Sequence, residues 1–135
     1  MKVNIKEIAE ELQTLSDEDC FYYNKETGEL EYFNYEHENP NDLDIEEVED
    51  DEKFIRLPDK FDINDYGILK DFMFAQEDRE IRDALYDIIH SKGVFKKFRQ
   101  VVERFGILEK WYEFYAKAYE DIVKEWCEEN GLEWE

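Results

Sequence analysis

The sequence predicts an α+β protein, in which a small antiparallel sheet (a hairpin plus one strand) packs on about five helices. Three observations carry this expectation. Apolar residues recur at three- and four-residue spacing over residues 4–15 and through most of 62–129, the period of helices with one buried face. Between these stretches lie two aromatic-rich runs, CFYYN and ELEYFN, joined by Lys25-Glu26-Thr27-Gly28, where Gly28 supplies the positive φ of a short hairpin loop. A third short run, Lys53 to Pro58, is stopped by a proline that has no N–H to give to a sheet. Strands gathered near one end and helices at the other favour segregated layers over alternating βα units. At 135 residues the chain is long enough for one ordinary domain and short for two, so residues 1–135 are expected to form a single domain.

The elements follow in order. Asn4 is placed to cap the first helix, with Glu7 completing a capping box. Ile5, Ile8, Leu12 and Leu15 share its apolar face, opposite Lys6, Glu7, Glu10, Glu11 and Gln13; Ser16 to Asp19 ends it. The hairpin over 20–34 is marginal alone, so it needs the strand at 53–58 or a layer of helices. Asp62 or Asn64 caps the next helix, with Tyr66, Leu69, Phe72 and Met73 inward. A break at Gln76 to Asp78 precedes a helix carrying Ile81, Leu85, Ile88 and Ile89, for which Gly93 is the expected left-handed C-terminal cap. Val94 to Phe105 places Phe95, Phe98, Val101, Val102 and Phe105 on one side, and Gly106 breaks the helix. The longest helix, Ile107 to about Glu129, has a broad apolar face running from Trp111 to Trp126. Asn130-Gly131 stops it and leaves Leu132 and Trp134 to fold back. The helical pair within residues 93–119 is expected to form the body on which the rest packs.

The formal charge is −21, from 38 acidic and 17 basic side chains. A charge of that size repels nucleic acid and anionic membranes, and it favours a basic partner or imitation of a polyanion. No run reaches membrane-spanning length, and MKVNIKEIAEEL lacks the apolar core of a signal peptide, so a cytoplasmic location is expected. Cys20 and Cys127 stand far apart in apolar contexts, which fits reduced, buried thiols. Residues 36–52 hold ten carboxylates and no Lys or Arg, and this self-repelling block is expected to be a mobile acidic loop. Asp42, Asp44 and Glu46 have the spacing of the first calcium-loop ligands. Glu47 stands where that loop needs glycine and Lys53 where it needs its closing Glu, so no metal site is expected.

Several short features occur in a fixed order: Thr27-Gly28-Glu29, Ile55-Arg56-Leu57-Pro58, Asp71-Phe72, Gly93-x-Phe95-x-x-Phe98-Arg99, Trp111-x-x-Phe114, and Trp126 with Gly131. The ordered set resembles a bacterial family described as uncharacterised protein family 0158, and it covers nearly the whole chain. The acidic stretch at 36–52 is longer than the usual family connection, and Cys127 replaces a more typical aliphatic residue. The resemblance implies a compact bacterial cytosolic protein and brings no activity, cofactor or site residue with it.

One local anomaly is a basic island. From His90 to Arg104 the chain carries Lys92, Lys96, Lys97, Arg99 and Arg104 against one acid, Glu103. The island neutralises the acidic body, or it holds a phosphate, a nucleotide or an acidic peptide through Lys92, Lys96 and Arg99 with His90 as a donor. Direct nucleic-acid binding is disfavoured by the net charge. Arg99 lies about 40° from Phe95 on the wheel, so its stem is expected half-buried. The aromatics of the last helix could line a pocket with Tyr22, Tyr23, Tyr32 and Phe33, although at this spacing such rings are more often core.

Catalysis finds no motif. His37 and His90 have bland settings, and no nucleophile elbow, zinc motif, P-loop or dinucleotide glycine pattern occurs. No catalytic residue, metal or cofactor is expected. The leading expectation is a non-enzymatic acidic interaction or regulatory protein that engages a basic partner or mimics nucleic acid. Its contact residues would be Asp42, Asp44, Glu46, Glu47, Glu49 and Asp50, with Tyr112 as an exposed aromatic. The alternative is a small-anion module built on His90, Lys92, Lys96 and Arg99.

Overall fold

Asn4 begins the first helix as its spacing requires: its Oδ1 accepts the Glu7 backbone N–H at 3.1 Å, and α1 runs Ile5–Gln13. The computed structural model of the chain describes residues 2–36 and 43–135. The elements after α1 are β1 (Asp19–Asn24), β2 (Leu30–Asn34), α2 (Ile45–Glu49), β3 (Phe54–Arg56), α3 (Asp65–Phe74), α4 (Arg79–Ile88), α5 (Val94–Arg104) and α6 (Leu108–Glu129). The protein is α+β, with a three-stranded antiparallel sheet and six helices among the described residues. The chain divides into two compact units, Met1–Ile63 with Tyr119–Glu135, and Asn64–Ala118.

The first unit is built around β1. Strand order is β2-β1-β3, with Phe21 opposite Tyr32 and Tyr23 opposite both Leu30 and Ile55. Cys20, Phe21, Tyr22 and Tyr23 are all buried, with no alternation. A central strand covered on both faces has no solvent side to carry polar residues. On one face Cys20, Tyr22 and Phe33 cluster with Val48 of α2. On the other, Tyr23 meets the Trp126 ring of α6 edge-on at 5.7 Å, and the Trp126 indole donates to the Arg56 carbonyl at 2.9 Å. The chain ends join here too. Val3 N–H donates to Glu133 O at 2.8 Å and Glu135 N–H to Val3 O at 2.9 Å, a short parallel bridge that brings Trp134 back as expected.

The acidic stretch 36–52 corrects one expectation. Residues 45–49 form α2, with Asp44 as N-cap and Val48 buried at 2% exposure. Ile45 and Val48 fall three residues apart, and the docking of Val48 on the Cys20–Phe33 face outweighs the repulsion among neighbouring carboxylates. Residues 37–42, and with them the expectations at His37 and Asp42, lie outside the described residues.

The second unit gathers α3, α4, α5 and residues 108–118. Its aromatic centre is Phe72, whose ring makes edge contacts with Phe98 at 5.9 Å, Trp111 at 5.3 Å and Phe114 at 5.3 Å. Asn64, rather than Asp62, caps α3, through Oδ1 and the Gly67 N–H at 2.8 Å. Two further expectations are corrected. Gly93 is the N-cap of α5, because α4 ends at Ile88 and two turns intervene. Phe95 is 49% exposed, because the buried arc of α5 is centred on Phe98, Val101 and Val102, and Phe95 sits at its margin.

Both glycine-terminated helices close the same way. After α5, Ile107 N–H reaches Val102 O at 2.9 Å and Gly106 N–H reaches Glu103 O at 3.1 Å; after α6, Leu132 N–H reaches Cys127 O and Gly131 N–H reaches Glu128 O. These are paired C-terminal cap bonds that require a left-handed residue, and Gly106 has φ +70°. No atom lies within 4 Å of a Cβ at Gly106, so the cost of a side chain there is conformational alone. Gly106→Ala is expected to lower stability by about 1 kcal/mol. An unchanged urea midpoint would refute that account of the α5–α6 corner.

Candidate functional site

The basic island follows from α5. Lys92, Lys96, Lys97, Arg99 and Arg104 are all exposed, as is His90 in the turn after α4. Arg99 is 62% exposed, against the half-buried stem expected, because its position on the wheel falls outside the Phe98–Val102 arc. Its Nε pairs with Glu103 Oε1 at 3.1 Å across one helical turn. Arg104 lies over the Phe105 ring at 5.0 Å. Lys96 and Arg99 thus occupy an open helix surface, with Lys92 exposed in the turn before it, and exposed pairs such as Arg99–Glu103 contribute little stability.

The acidic residues divide by use. Asp44 Oδ1 caps α2 by accepting the Glu46 N–H at 3.0 Å. Glu49 Oε1 accepts the Tyr22 hydroxyl at 3.2 Å. Burial, together with the charge of Glu49, pushes the Tyr22 hydroxyl up to about 12, so it stays a donor. Asp50 is the C-cap of α2, and Glu46 and Glu47 face solvent. Tyr112 is 48% exposed on α6, on the edge its position suggests. Asp42 lies outside the described residues.

One polar cluster was not anticipated from the sequence. Asp59 is 2% exposed and sits under Arg56, which also binds Asp62 Oδ2 through Nη1 at 3.1 Å. The Asp59 carboxylate accepts the Tyr35 hydroxyl at 2.8 Å and the Phe61 backbone N–H at 2.9 Å. Arg56 Nη2 reaches the Tyr35 oxygen at 3.3 Å. Burial works to raise the Asp59 pKa, but the Tyr35 hydrogen bond, the Arg56 charge and the backbone N–H groups outweigh it and hold the carboxyl below its ordinary range. Burial pushes the Tyr35 hydroxyl well above its usual value. The signal in the sequence was an Arg in an apolar strand followed by Pro-Asp-x-x-Asp, but its partner Tyr35 is 21 residues from Arg56, beyond any local pattern.

This cluster is a brace. It ties β3, the end of β2 and the turn at 59–62 together, and both oxygens of the buried Asp59 carboxylate are engaged within it. Burial raises the neighbouring Cys20 thiol's pKa and disfavours its thiolate. Cys127, also buried and unbridged, is pushed up by burial to about 11. Among the described residues no group of three or more His, Cys, Asp or Glu is arranged to hold a metal ion.

An open cleft of about 640 Å³ lies in the first unit, where α1 faces the hairpin. Its lining from α1 includes Glu7, Ile8, Glu10 and Glu11, and its lining from the hairpin includes Phe21 and Leu30. Glu7, Glu10 and Glu11, three and four residues apart, share one helical face.

Against this geometry the comparisons are narrow. The family model for Uncharacterised protein family (UPF0158) matches residues 1–134. The chain belongs to this family. No curated protein and no solved structure matches it. The UPF0158 match spans both compact units, so α1, the sheet, the Arg56–Asp59 brace and α5 all lie within the family's extent. No helix of this UPF0158 chain, among the described residues, is long and apolar enough to cross a membrane.

Proposed function

We propose that this UPF0158 member is a cytoplasmic, non-enzymatic interaction protein whose acidic surface engages a basic protein partner. The observation that supports this reading is charge. Acids outnumber cations 38 to 17, so complete internal pairing would still leave 21 negative charges for solvent or a partner. Such a field speeds encounter with cationic surfaces and repels polyanions.

The test is affinity capture from the protein's own cell lysate, with and without nuclease, eluted in a salt gradient. The expected result is a discrete basic protein that survives nuclease and leaves as salt rises from about 0.1 M to about 0.5 M, where the Debye length falls below the spacing of surface charges. A capture that is empty at low salt would overturn the reading. Displacement of the captured protein by DNA or RNA would identify the acidic surface as a stand-in for nucleic acid.

A further inference from the structure

Of the seven asparagines in the chain, Asn130 alone is followed by glycine. Such a pair can react within itself. The side-chain carbonyl carbon of an asparagine lies within reach of the next backbone nitrogen, and a following residue without a Cβ leaves that nitrogen unhindered. Asn130 and Gly131 are both exposed, so water and base have access to them.

The structure holds the two reacting groups apart. Gly131 N–H donates to Glu128 O at 3.3 Å, and the Asn130 amide donates through Nδ2 to Trp126 O at 2.8 Å. Leu132 N–H completes the cap on Cys127 O at 2.9 Å, with Gly131 at φ +66°. Bringing the Gly131 nitrogen onto Asn130 Cγ needs rotation about the Asn130 Cα–C bond, and the cap bonds on either side lock that rotation. Beyond the cap the chain is pinned to the start of α1. Val3 N–H donates to Glu133 O at 2.8 Å, Glu135 N–H to Val3 O at 2.9 Å and Ile5 N–H to Glu135 O at 3.3 Å. Three backbone bonds at a chain end are the kind of contact that opens locally at low cost.

We infer that Asn130 is a deamidation site, held closed by the α6 cap and exposed when the C-terminal bridge to Val3 opens. On opening, the Gly131 nitrogen gives its proton to base and attacks Asn130 Cγ. The new C–N bond closes a succinimide ring, and the side-chain nitrogen leaves as ammonia. Water then opens the ring at either carbonyl, giving aspartate or isoaspartate with no change of oxidation state. Either product weakens the cap. Aspartate replaces the Nδ2–H donor with a carboxylate beside Trp126 O. It also adds a charge at the negative end of the helix dipole, where Glu128 and Glu129 already stand without a basic residue in the last turn. Isoaspartate adds a methylene to the main chain and shifts Gly131 and Leu132 out of register with Glu128 and Cys127. The change is one-way, and it favours lasting release of residues 132–135 from Val3.

The test incubates the full chain at about pH 8 and about 37 °C, folded and in unfolding urea, and reads conversion at Asn130 by peptide mass mapping. Conversion in the folded wild type is expected to be at least about tenfold slower than in the unfolded chain, because only the opened fraction reacts. Glu135→Pro deletes the N–H that donates to Val3 O at an exposed position, and is expected to raise folded-state conversion severalfold with the urea midpoint close to wild type. Asn130→Asp supplies one product directly, and is expected to speed amide hydrogen exchange at Leu132 and Glu135. Equal conversion in folded and unfolded wild type would overturn the cap as a lock. A Glu135→Pro rate equal to that of wild type would overturn the bridge as the gate. Unchanged exchange in Asn130→Asp would overturn the release of the C-terminal residues. No conversion at Asn130 in the unfolded chain would overturn the site itself.

Discussion

Phe72→Ala is expected to lower the stability of the second unit by about 4 kcal/mol. The ring is 3% exposed and touches Phe98, Trp111 and Phe114, drawn from two other helices. Truncation leaves a void bordered by three rigid rings, which cannot collapse into it as a flexible aliphatic core would. Total stabilities of small domains are about 5–15 kcal/mol, so this one change consumes much of what is available. The signature is a lower urea midpoint together with loss of the near-UV signal from the packed Trp111. Phe72→Leu refills part of the space and is expected to recover most of the loss. A Phe72→Ala protein that melts like wild type would show that the aromatic cluster does not hold α3, α5 and α6 together.

The second large effect lies at Asp59. Asp59→Ala removes the acceptor for Tyr35, for Arg56 and for the backbone N–H groups of the 59–62 turn, and is expected to cost about 2–3 kcal/mol. Its pH dependence follows from the direction of its titration. The folded carboxyl sits below its ordinary 3.8, so the unfolded chain binds the proton more readily. The stabilisation is therefore complete above 3.8 and is lost as pH falls from there through the lowered folded value. Asp19 is lowered as well, so acid unfolding of the wild type does not isolate Asp59. The difference between wild type and Asp59→Asn does. That difference is expected to be largest at about pH 6 and to shrink towards about pH 2. A difference that stays constant over that span would mean the carboxylate charge contributes nothing to the brace.

Most elements were legible because their signals are local. The apolar period of α1, the Asn4 cap, the Gly106 and Gly131 terminators and the hairpin around Gly28 each act within a few residues. Where local and distant forces opposed each other, the sequence misled. Ten carboxylates in seventeen residues read as a loop, yet one valine, Val48, finds an apolar sheet face and fixes a helical turn. Phe95 has the spacing of a core residue, and only the direction from which α3 and α6 approach α5 decides that Phe98 is inside and Phe95 outside. The basic island was visible as composition, but its exposure on an open helix surface was not.

The sequence by itself determined the α+β class, the placement of nearly every helix and strand, the two buried thiols and the large negative charge. These follow from short-range backbone preferences and from charge, which need no knowledge of the fold. The tertiary structure alone decided that β1 is the central strand, that Arg56 closes over Asp59 and Tyr35, and that three acids of α1 border a cleft against the hairpin. Each of these depends on which distant segments meet, and that is settled by burial of apolar surface summed over the whole chain rather than by any run of neighbours.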